Sequence, residues 1–371
     1  MRIVKKILKV LAVLVLLLIV ATYFFMQQDS FGKLPTGSRA ERISKSPNYK
    51  DGQFTNIVET KMLAENASYF KMMSQFFFAS KVEREPLRPL PSQKTDLKAI
   101  GEKPTLVWFG HSSYLISIDG KKILVDPVFS ERASPVQYAG PKSYPGTMLY
   151  SIDDFPDLDI VVISHDHYDH LDYNTVLKLK EKTKLFCVGL GVGEHLEHWG
   201  VKPEQIREFD WWEGEEVLEG VKLISTPARH FSGRGFTRNK TLWSSFVLQT
   251  GGYRLFIGGD SGFDNSFADI GNKYGPFDLA MLECGQYDPQ WPYIHMAPEE
   301  TVRAALSLKT KIFMPVHWGK FTLANHPWRD PIRKAVKASD AYGMNITTPK
   351  IGEPVVLNEK MPFEDWWNGV E

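Results

Sequence analysis

The sequence predicts an α/β domain built of layered, mixed sheets, with one apolar helix at the N-terminus. Beyond Pro104, short apolar runs of strand length alternate with segments of helical periodicity. Residues 10–26 carry no charge, and hydrophobic residues make up 43% of the 371-residue chain. That proportion suffices for a sizeable core, which excludes disorder over most of the chain.

Charge and cysteine content narrow the class of protein. Lysine plus arginine number 44 and aspartate plus glutamate number 44, so the overall charge gives no reason to expect a nucleic-acid partner. The two cysteines, Cys187 and Cys284, lie in apolar runs typical of core strands. These features exclude a disulfide framework and disfavour a zinc site made of thiolates.

The N-terminal segment has the composition of a membrane anchor. Arg2, Lys5, Lys6 and Lys9 precede the uncharged run, and extending that run back to residue 7 gives about 20 residues, enough to span a bilayer. A cleaved signal peptide is the alternative, but bulky aromatic residues stand where small residues should precede a cleavage point. The positive-inside rule places the N-terminus in the cytoplasm and the rest of the chain on the non-cytoplasmic side, at a bacterial periplasmic face or the cell exterior.

A polar segment and one apolar helix are expected between the anchor and the globular domain. Residues 27–60 are polar and typical of a linker, in which we expect no catalytic residues. Residues 59–80 place Met62, Phe70, Met73 and other apolar side chains at helical spacing. That face either packs on the domain core, or lies in the bilayer interface or lines a groove that accepts lipid. The predicted divisions are therefore a transmembrane anchor over 1–26, a linker with an amphipathic aromatic helix over 27–103, and a globular domain over 104–371.

Within the globular domain, hairpin-linked strands come first and strand–helix units come later, which favours mixed sheets. The helices are predicted at YNTVLKLKEK and APEETVRAALSLK. The strands are predicted at TLVWF, YLISI, KILVD, DIVVIS, KLIST, SSFVLQT, YRLFIGG, DLAMLE and KIFMPV.

A dense metal-binding motif follows the strand DIVVIS. It reads His165-Asp166-His167-Tyr168-Asp169-His170. Imidazole and carboxylate ligands without thiolate suit zinc, with iron or manganese as alternatives. We expect two ions, because the adjacent residues of a tight turn cannot all point at one. His165 and His167 would bind the first ion, and Asp169 and His170 the second.

Two ions need further ligands, and three candidates follow other apolar strands. They are His230 after KLISTPAR, Asp260 after RLFIGG, and His317 after KIFMPV. Alone, a histidine at the end of a strand is more often a satisfied or surface residue than a ligand. Their succession behind the first motif favours ligation.

This order of motifs resembles the metallo-β-lactamase superfamily, whose fold is an αββα sandwich with a dinuclear site on one edge. The segments GHSSYLI, DPVFSERASPVQYAGPK, ISHDHYDHLD, TPARHFSGRG, GGDSGF, IHMAPEE and VHWGKF look like N-acylphosphatidylethanolamine-hydrolysing phospholipase D and its bacterial relatives, over about residues 104 to 330. The resemblance implies that residues 104–371 form a catalytic domain of this fold. It also implies one zinc on His165, His167 and His230, a second on Asp169, His170 and His317, and Asp260 bridging the two.

The same resemblance implies hydrolysis of N-acylphosphatidylethanolamine to N-acylethanolamine and phosphatidate, with a hydroxide held between the two metals attacking phosphorus. Asp169, Asp260 and His295 are then the catalytic candidates. His295 is either a phosphate contact or proton donor, or a residue that caps and packs the following helix. His111 either orients a metal ligand or is a buried turn histidine.

Two other functions remain open at the level of sequence. A lactonase, or another metal-dependent carbonyl or phosphoester hydrolase, could use the same site. A non-enzymatic envelope protein that binds metal or lipid is the second alternative. The expected partners are a phospholipid substrate and the membrane, while the oligomeric state stays open, a homodimer included.

Overall fold

The computed structural model describes residues 2–68, 70, 72, 74, 78 and 83–370. Its helices are α1 (Arg2–Phe25), α2 (Gly37–Ser44), α3 (Tyr173–Leu179), α4 (Gly193–His198), α5 (Ser266–Tyr274), α6 (Pro298–Ser307) and α7 (Asp330–Tyr342). Its strands are β1 (Tyr49–Lys50), β2 (Gln53–Phe54), β3 (Thr105–Trp108), β4 (Tyr114–Ile118), β5 (Lys121–Val125), β6 (Leu158–Ile163), β7 (Thr183–Gly189), β8 (Ile206–Phe209), β9 (Gly214–Leu218), β10 (Val221–Thr226), β11 (Ser245–Thr250), β12 (Tyr253–Ile257), β13 (Leu279–Glu283), β14 (Phe313–Val316) and β15 (Pro354–Val356).

The strands form two large mixed sheets and one short hairpin of β1 and β2. The seven-stranded sheet has the order β15-β3-β4-β5-β6-β7-β8, and the six-stranded sheet has the order β14-β13-β12-β11-β10-β9. The hairpin-linked strands β4 and β5, and likewise β11 and β12, pair antiparallel, whereas β5-β6-β7 and β12-β13-β14 pair parallel. The prediction of mixed sheets is confirmed.

The main core lies between the two sheets. Ile116 from the first sheet and Leu248 and Met281 from the second belong to one buried apolar cluster. Trp108 and Trp318 stack within it, with ring centroids 5.4 Å apart. Burying large apolar side chains from both inner faces is the principal force that holds the sheets together.

Helices cover the outer face of each sheet. Val176 of α3 and Leu196 of α4 pack with Val161 of β6 in a second apolar cluster. Val302 of α6 packs with Phe256 of β12 in a third. The layers are therefore helix, sheet, sheet and helix, which confirms the αββα fold.

The predicted strands and helices of the globular domain are confirmed, with ends that differ by a few residues. The main omissions are the strands β8, β9 and β15 and the helices α4, α5 and α7. The reason is clearest at β9, whose sequence GEEVL lies at a sheet edge and is exposed over its first three residues. An edge strand with charged side chains carries little of the apolar signal that marks a buried strand.

The segment that we expected to be a linker packs against the domain. Ile43 of α2 and Phe54 of β2 are 3% and 0% exposed and share an apolar cluster with Trp211. Arg39 forms ion pairs of 2.6 Å with Glu194 and 2.7 Å with Glu208. The few apolar residues of the predicted linker are well separated along the chain. Its polar composition therefore gave no sign that it folds onto the domain.

The expected helix over 59–80 is only partly described. Residues 59–68 contain bends and turns rather than a helix, and residues 70, 72, 74 and 78 are helical. Tyr69, Met73, Phe76 and Phe77, which carry much of the predicted apolar face, lie outside the described residues. Whether this segment contacts the bilayer stays a prediction.

Helix α1 is long and apolar enough to cross a membrane, and none of its residues is buried against the rest of the protein. At 1.5 Å per residue, 24 residues extend about 36 Å. The helix is therefore a candidate membrane anchor. Its position near the N-terminus also fits a signal sequence.

Candidate metal centre

The predicted ligand side chains meet at one edge of the sandwich, because the strands that precede them end there. The loop after β6 carries His165, His167, Asp169 and His170, and His230, Asp260 and His317 follow β10, β12 and β14. Apart from His167 and Asp169, whose side chains face a cavity, these residues are at most 3% exposed.

Three histidines converge at one side of the site. Nδ1 of His167 lies 2.8 Å from Nε2 of His165 and 3.2 Å from Nε2 of His230. All three nitrogens lie within 4.8 Å of one another. This geometry matches the first predicted group of ligands.

A second group lies beside it. Asp169, His170 and His317 bring one ligand atom each into a cluster that also includes His111. Oδ2 of Asp169 is 2.9 Å from Nε2 of His111 and 3.5 Å from Nε2 of His170. The structure thus brings His111 to within hydrogen-bond distance of a predicted ligand.

Asp260 lies between the two groups. Its Oδ2 is 3.7 Å from Nε2 of His230 and 3.1 Å from Nε2 of His170, and its Oδ1 is 3.1 Å from Nδ1 of His317. One carboxylate therefore reaches both groups, as a bridging ligand must.

Hydrogen bonds to the outward ring nitrogens orient three of the histidines. Nδ1 of His170 lies 2.8 Å from Oδ2 of Asp126, and Nδ1 of His230 lies 2.9 Å from the carbonyl oxygen of Ile294. Ser164 Oγ lies 3.0 Å from Nδ1 of His165. These contacts leave Nε2 of each ring for the centre of the site, and such outer partners are a regular feature of metal-binding histidines.

The donor set fits metal ions. Burial lowers the pKa of His165, His230 and His317 well below the ordinary value and that of His167 to about 4, so these rings favour the neutral form that a metal requires. Burial lowers the pKa of His170, but three nearby carboxylates, chiefly that of Asp260, outweigh this and raise it well above its ordinary value. Its Nε2 lies 3.1 Å from Oδ2 of Asp260, so a bound cation would displace a proton from this ring.

The backbone is strained at two histidines of the cluster around Asp169. His111 and His317 have φ angles of 53° and 65°, in the left-handed region that few residues other than glycine adopt. The amide of His317 donates to the carbonyl of His111 over 3.0 Å, and the amide of His111 donates to the carbonyl of Trp318 over 2.8 Å. Strain of this kind is concentrated at functional sites.

His295 lies beside the metal ligands and is held by Glu283 at the end of β13. Nδ1 of His295 is 2.7 Å from Oε2 of Glu283, while Oε1 accepts hydrogen bonds from the amides of Ser261 and Met296. Burial raises the pKa of the Glu283 carboxyl well above its ordinary value and lowers that of the His295 ring. Both directions favour a neutral pair, in which the proton of this hydrogen bond lies on Glu283.

The cluster forms the floor of a cavity of about 290 Å³. Its wall is largely apolar and includes Leu63, Trp291, Ile294 and Leu323. Arg238 also lines the cavity and brings a cationic group to it. The site can thus receive a ligand with an anionic group near the floor and an apolar body along the wall.

Sequence reasoning missed four residues that shape the site: Asp126, Glu283, Arg238 and Asn56. Asp126 and Glu283 each end an apolar run, the same signal that identified Asp260. Asn56 holds the backbone of His230 through two hydrogen bonds, of 2.8 Å to its carbonyl and 3.0 Å from its amide. No local pattern marks Asn56 or Arg238, because only the fold brings them to the site.

The comparisons with known proteins agree with the fold. Residues 121–318 match the family model described as a β-lactamase superfamily domain. An uncharacterised protein of Mycobacterium tuberculosis is 39% identical over 330 residues, covering 87% of this chain and 88% of that protein. The N-acyl-phosphatidylethanolamine-hydrolyzing phospholipase D 1 of Caenorhabditis elegans is 34% identical over 264 residues, covering 66% and 74%. Among solved structures, the metallo hydrolase Igni18 of Ignicoccus hospitalis aligns with a TM-score of 0.53 at 23% identity, covering 70% of this chain and 100% of that one.

Fold, site and relatives together define a metal-dependent hydrolase. The chain belongs to the metallo-β-lactamase superfamily and resembles its N-acylphosphatidylethanolamine-hydrolysing phospholipases. These findings support an enzyme over the non-enzymatic envelope protein among the alternatives.

Proposed function

We propose that the chain is a membrane-anchored, dizinc phosphodiesterase of phospholipase D type that cleaves N-acylphosphatidylethanolamine into N-acylethanolamine and phosphatidate. The observation that carries the proposal is the clustered donor set at the floor of a cavity with an apolar wall and one guanidinium. The similarity to the C. elegans phospholipase supports it.

The proposed ligands follow the two groups of the site. His165, His167 and His230 would hold one zinc, Asp169, His170 and His317 the other, and Asp260 would bridge them. Zinc supplies Lewis acidity when bound, since it lowers the pKa of water towards about 7 and withdraws charge from phosphoryl oxygens.

The remaining residues of the cavity bind and orient the substrate. Arg238 would pair with the phosphate, to which a guanidinium offers planar, charge-assisted hydrogen bonds. Leu63, Trp291 and Leu323 would contact acyl chains along the wall. His295, whose Nδ1 is engaged by Glu283, would hold a proton on Nε2 near the leaving oxygen.

We propose that α1 is an uncleaved anchor and that the catalytic domain lies on the non-cytoplasmic side. Four basic residues precede the apolar run of α1, which fits a cytoplasmic N-terminus. An anchored enzyme stays in the bilayer that contains its substrate.

The test is zinc content together with hydrolysis of N-acylphosphatidylethanolamine by the full chain in mixed micelles. His167→Ala is the inactivating control, and His198→Ala is the matched control because His198 lies on α4 and lines no part of the described cavity. Release of N-acylethanolamine by the wild type and His198→Ala, but not by His167→Ala, is expected. Two bound zincs with turnover of lactones and none of the lipid would contradict the proposal and favour the lactonase alternative.

A further inference from the structure

Two exposed aromatic side chains flank the point where α1 ends. Tyr138 is 77% exposed and Phe236 is 85% exposed. Tyr138 lines one surface cavity together with Gln27 and Gln28. Phe236 lines another together with Met26 and Gln27. Both side chains are therefore neighbours of the residues that directly follow the apolar helix.

The loop that carries Phe236 touches the end of the helix. A Cβ atom on Gly235 would lie 2.7 Å from Cε of Met26, so the loop backbone approaches that side chain closely. Phe25 at the end of α1 packs edge-on against Phe31, with ring centroids 5.3 Å apart. The helix thus leaves the domain beside this loop.

A buried cation holds the segment that follows α1 against the domain. Arg234 is 4% exposed and donates from Nη2 to the carbonyl of Ser30 over 2.7 Å. Its Nη1 donates to the carbonyls of Asp166 and Leu171 over 2.7 and 2.8 Å. One side chain therefore joins the segment after α1 to the loop that carries four proposed metal ligands.

Two further hydrogen bonds hold the same segment. The amide of Lys33 donates to Nδ1 of His195 over 3.0 Å, and Trp199 donates from Nε1 to the carbonyl of Asp29 over 2.7 Å. With Ser30 also held, residues 29–33 are bonded to the domain at three points. A segment bonded in this way does not act as a swivel between the helix and the domain.

The metal cavity lies close to the same surface. Arg238, two residues beyond Phe236, lines that cavity, and its guanidinium lies 5.1 Å from the ring centroid of Phe231. Phe231 in turn packs against His167, with ring centroids 4.4 Å apart. A bilayer in contact with Phe236 would therefore lie beside the entrance to the metal site.

We infer that the loops 134–138 and 233–238 form a membrane-contact surface that rests on the phospholipid bilayer crossed by α1, with Tyr138 and Phe236 in its headgroup region. The inference rests on the proposed anchor and is independent of the proposed reaction. Aromatic side chains favour the boundary between headgroups and acyl chains, and continuity with α1 identifies the bilayer as the occupant.

The test is the depth of labelled positions in full-length protein reconstituted into phosphatidylcholine nanodiscs. Cys187 and Cys284 are buried and free, so a fluorophore attached to a new surface cysteine reports on that position. The labelled variants are Tyr138→Cys and Phe236→Cys, with Leu14→Cys in α1 as the positive control. Leu306→Cys is the matched control, because Leu306 is 43% exposed on α6 and lines neither surface cavity.

Lipids that carry a spin label near the headgroup should quench positions 138 and 236 by at least about twofold relative to position 306, as expected for interfacial aromatics. Quenching at position 14 with none above control at 138 and 236 would overturn the inference while leaving the anchor intact. Absence of quenching at position 14 by acyl-chain spin labels would also overturn the inference, because it would show that α1 does not lie in the bilayer. Neither readout depends on turnover, so loss of the proposed activity would be seen separately.

Discussion

Oε2 of Glu283 lies 2.7 Å from Nδ1 of His295, and Glu283 is fully buried. This contact fixes the orientation of a histidine that lines the metal cavity, and it arises because β13 ends directly behind that residue. Glu283 is therefore a positioning residue for the proposed reaction, since it acts through His295 and does not line the cavity.

Replacing Glu283 by alanine removes the partner of Nδ1 of His295 and should lower kcat by about 10- to 100-fold, the range found for outer groups that orient the residues of a metal site. The metal content and KM should stay close to wild type, because Glu283 is placed to hold His295 and not a substrate. Steady-state kinetics and elemental analysis measure these quantities. Glu299→Ala on the surface of α6 is the matched control. Loss of metal in parallel with activity would instead indicate that Glu283 supports the ligands.

His111 and His295 should respond differently to truncation. His111→Ala should lower metal content, because Nε2 of His111 lies 2.9 Å from Oδ2 of the proposed ligand Asp169. His295→Ala should keep its metal and lose about 10²- to 10⁴-fold in turnover, as for a general acid. Metal analysis of both variants beside their kinetics separates the two roles. Full metal occupancy in His111→Ala would indicate that His111 is a buried turn histidine and does not orient a metal ligand.

Asp126 should influence metal affinity although it is not a proposed ligand. Its Oδ2 lies 2.8 Å from Nδ1 of His170, and its Oδ1 accepts from the amide of Ser164 over 2.8 Å. Asp126→Asn should weaken zinc binding by about 10- to 100-fold, as for other groups that orient a ligand. Competition with a chelator of known affinity measures this loss. Asp119→Asn, an exposed carboxylate in the β4–β5 turn, should bind zinc as the wild type does.

Removing the metals should destabilise the fold. A ligand that binds only the native state stabilises it by about 2.7 kcal/mol when present at 100 times its Kd. A strong chelator should therefore lower Tm, and zinc should restore it. His167→Ala should show a smaller shift, because it lacks one of the proposed ligands. An unchanged Tm in protein shown by elemental analysis to be free of metal would contradict this prediction.

Lys320 should give the protein a pH-dependent contribution to stability. It is fully buried and donates from Nζ to the carbonyl of Val128 over 2.8 Å, and burial lowers its pKa from 10.5 to about 7. Between pH 7 and 10.5 the unfolded chain therefore binds more protons at this residue, so this contribution to the free energy of unfolding rises with pH.

The variant Lys320→Met has no titrating group at this position and therefore lacks this pH-dependent contribution to stability. Tm of the wild type minus Tm of Lys320→Met should consequently increase from pH 7 to about pH 10, whatever constant offset arises from the lost hydrogen bonds. Scanning fluorimetry of both proteins across this range measures the difference. Lys337→Met, at an exposed position of α7, is the control. A difference that falls with pH, or one that Lys337→Met reproduces, would be inconsistent with a lowered pKa at Lys320.

Much of the fold could be read along the chain, because apolar runs and helical periods are local. DIVVIS, for example, is buried along its whole length as β6, so nearly every position of that strand is apolar. β9 escaped notice because it lies at a sheet edge and is largely exposed. α2 and β2 escaped notice because only isolated residues such as Phe54 face the core.

The candidate metal centre likewise contains some residues that the sequence predicted and some contacts that it did not. The close spacing of the motif at 165–170 and the position of the other residues after apolar strands identified the histidines and aspartates that the structure brings together. These signals suffice because the last residue of a strand lies at the edge of its sheet. The contacts of Asn56 with His230, of Glu283 with His295 and of Arg234 with Ser30 join segments distant in sequence. No periodicity records such pairs.

The sequence by itself determined the chemistry available to this protein: an apolar N-terminal helix, an α/β domain, and histidines and carboxylates in an order typical of a metal-dependent hydrolase. Only the tertiary structure decided how those groups are oriented, what lies around them and which surface lies beside α1. The physical reason is the separation along the chain of the residues that each property involves. Hydrophobic pattern and ligand spacing are properties of neighbouring residues, whereas hydrogen bonds that hold a ring or a loop in place depend on side chains that meet only after folding.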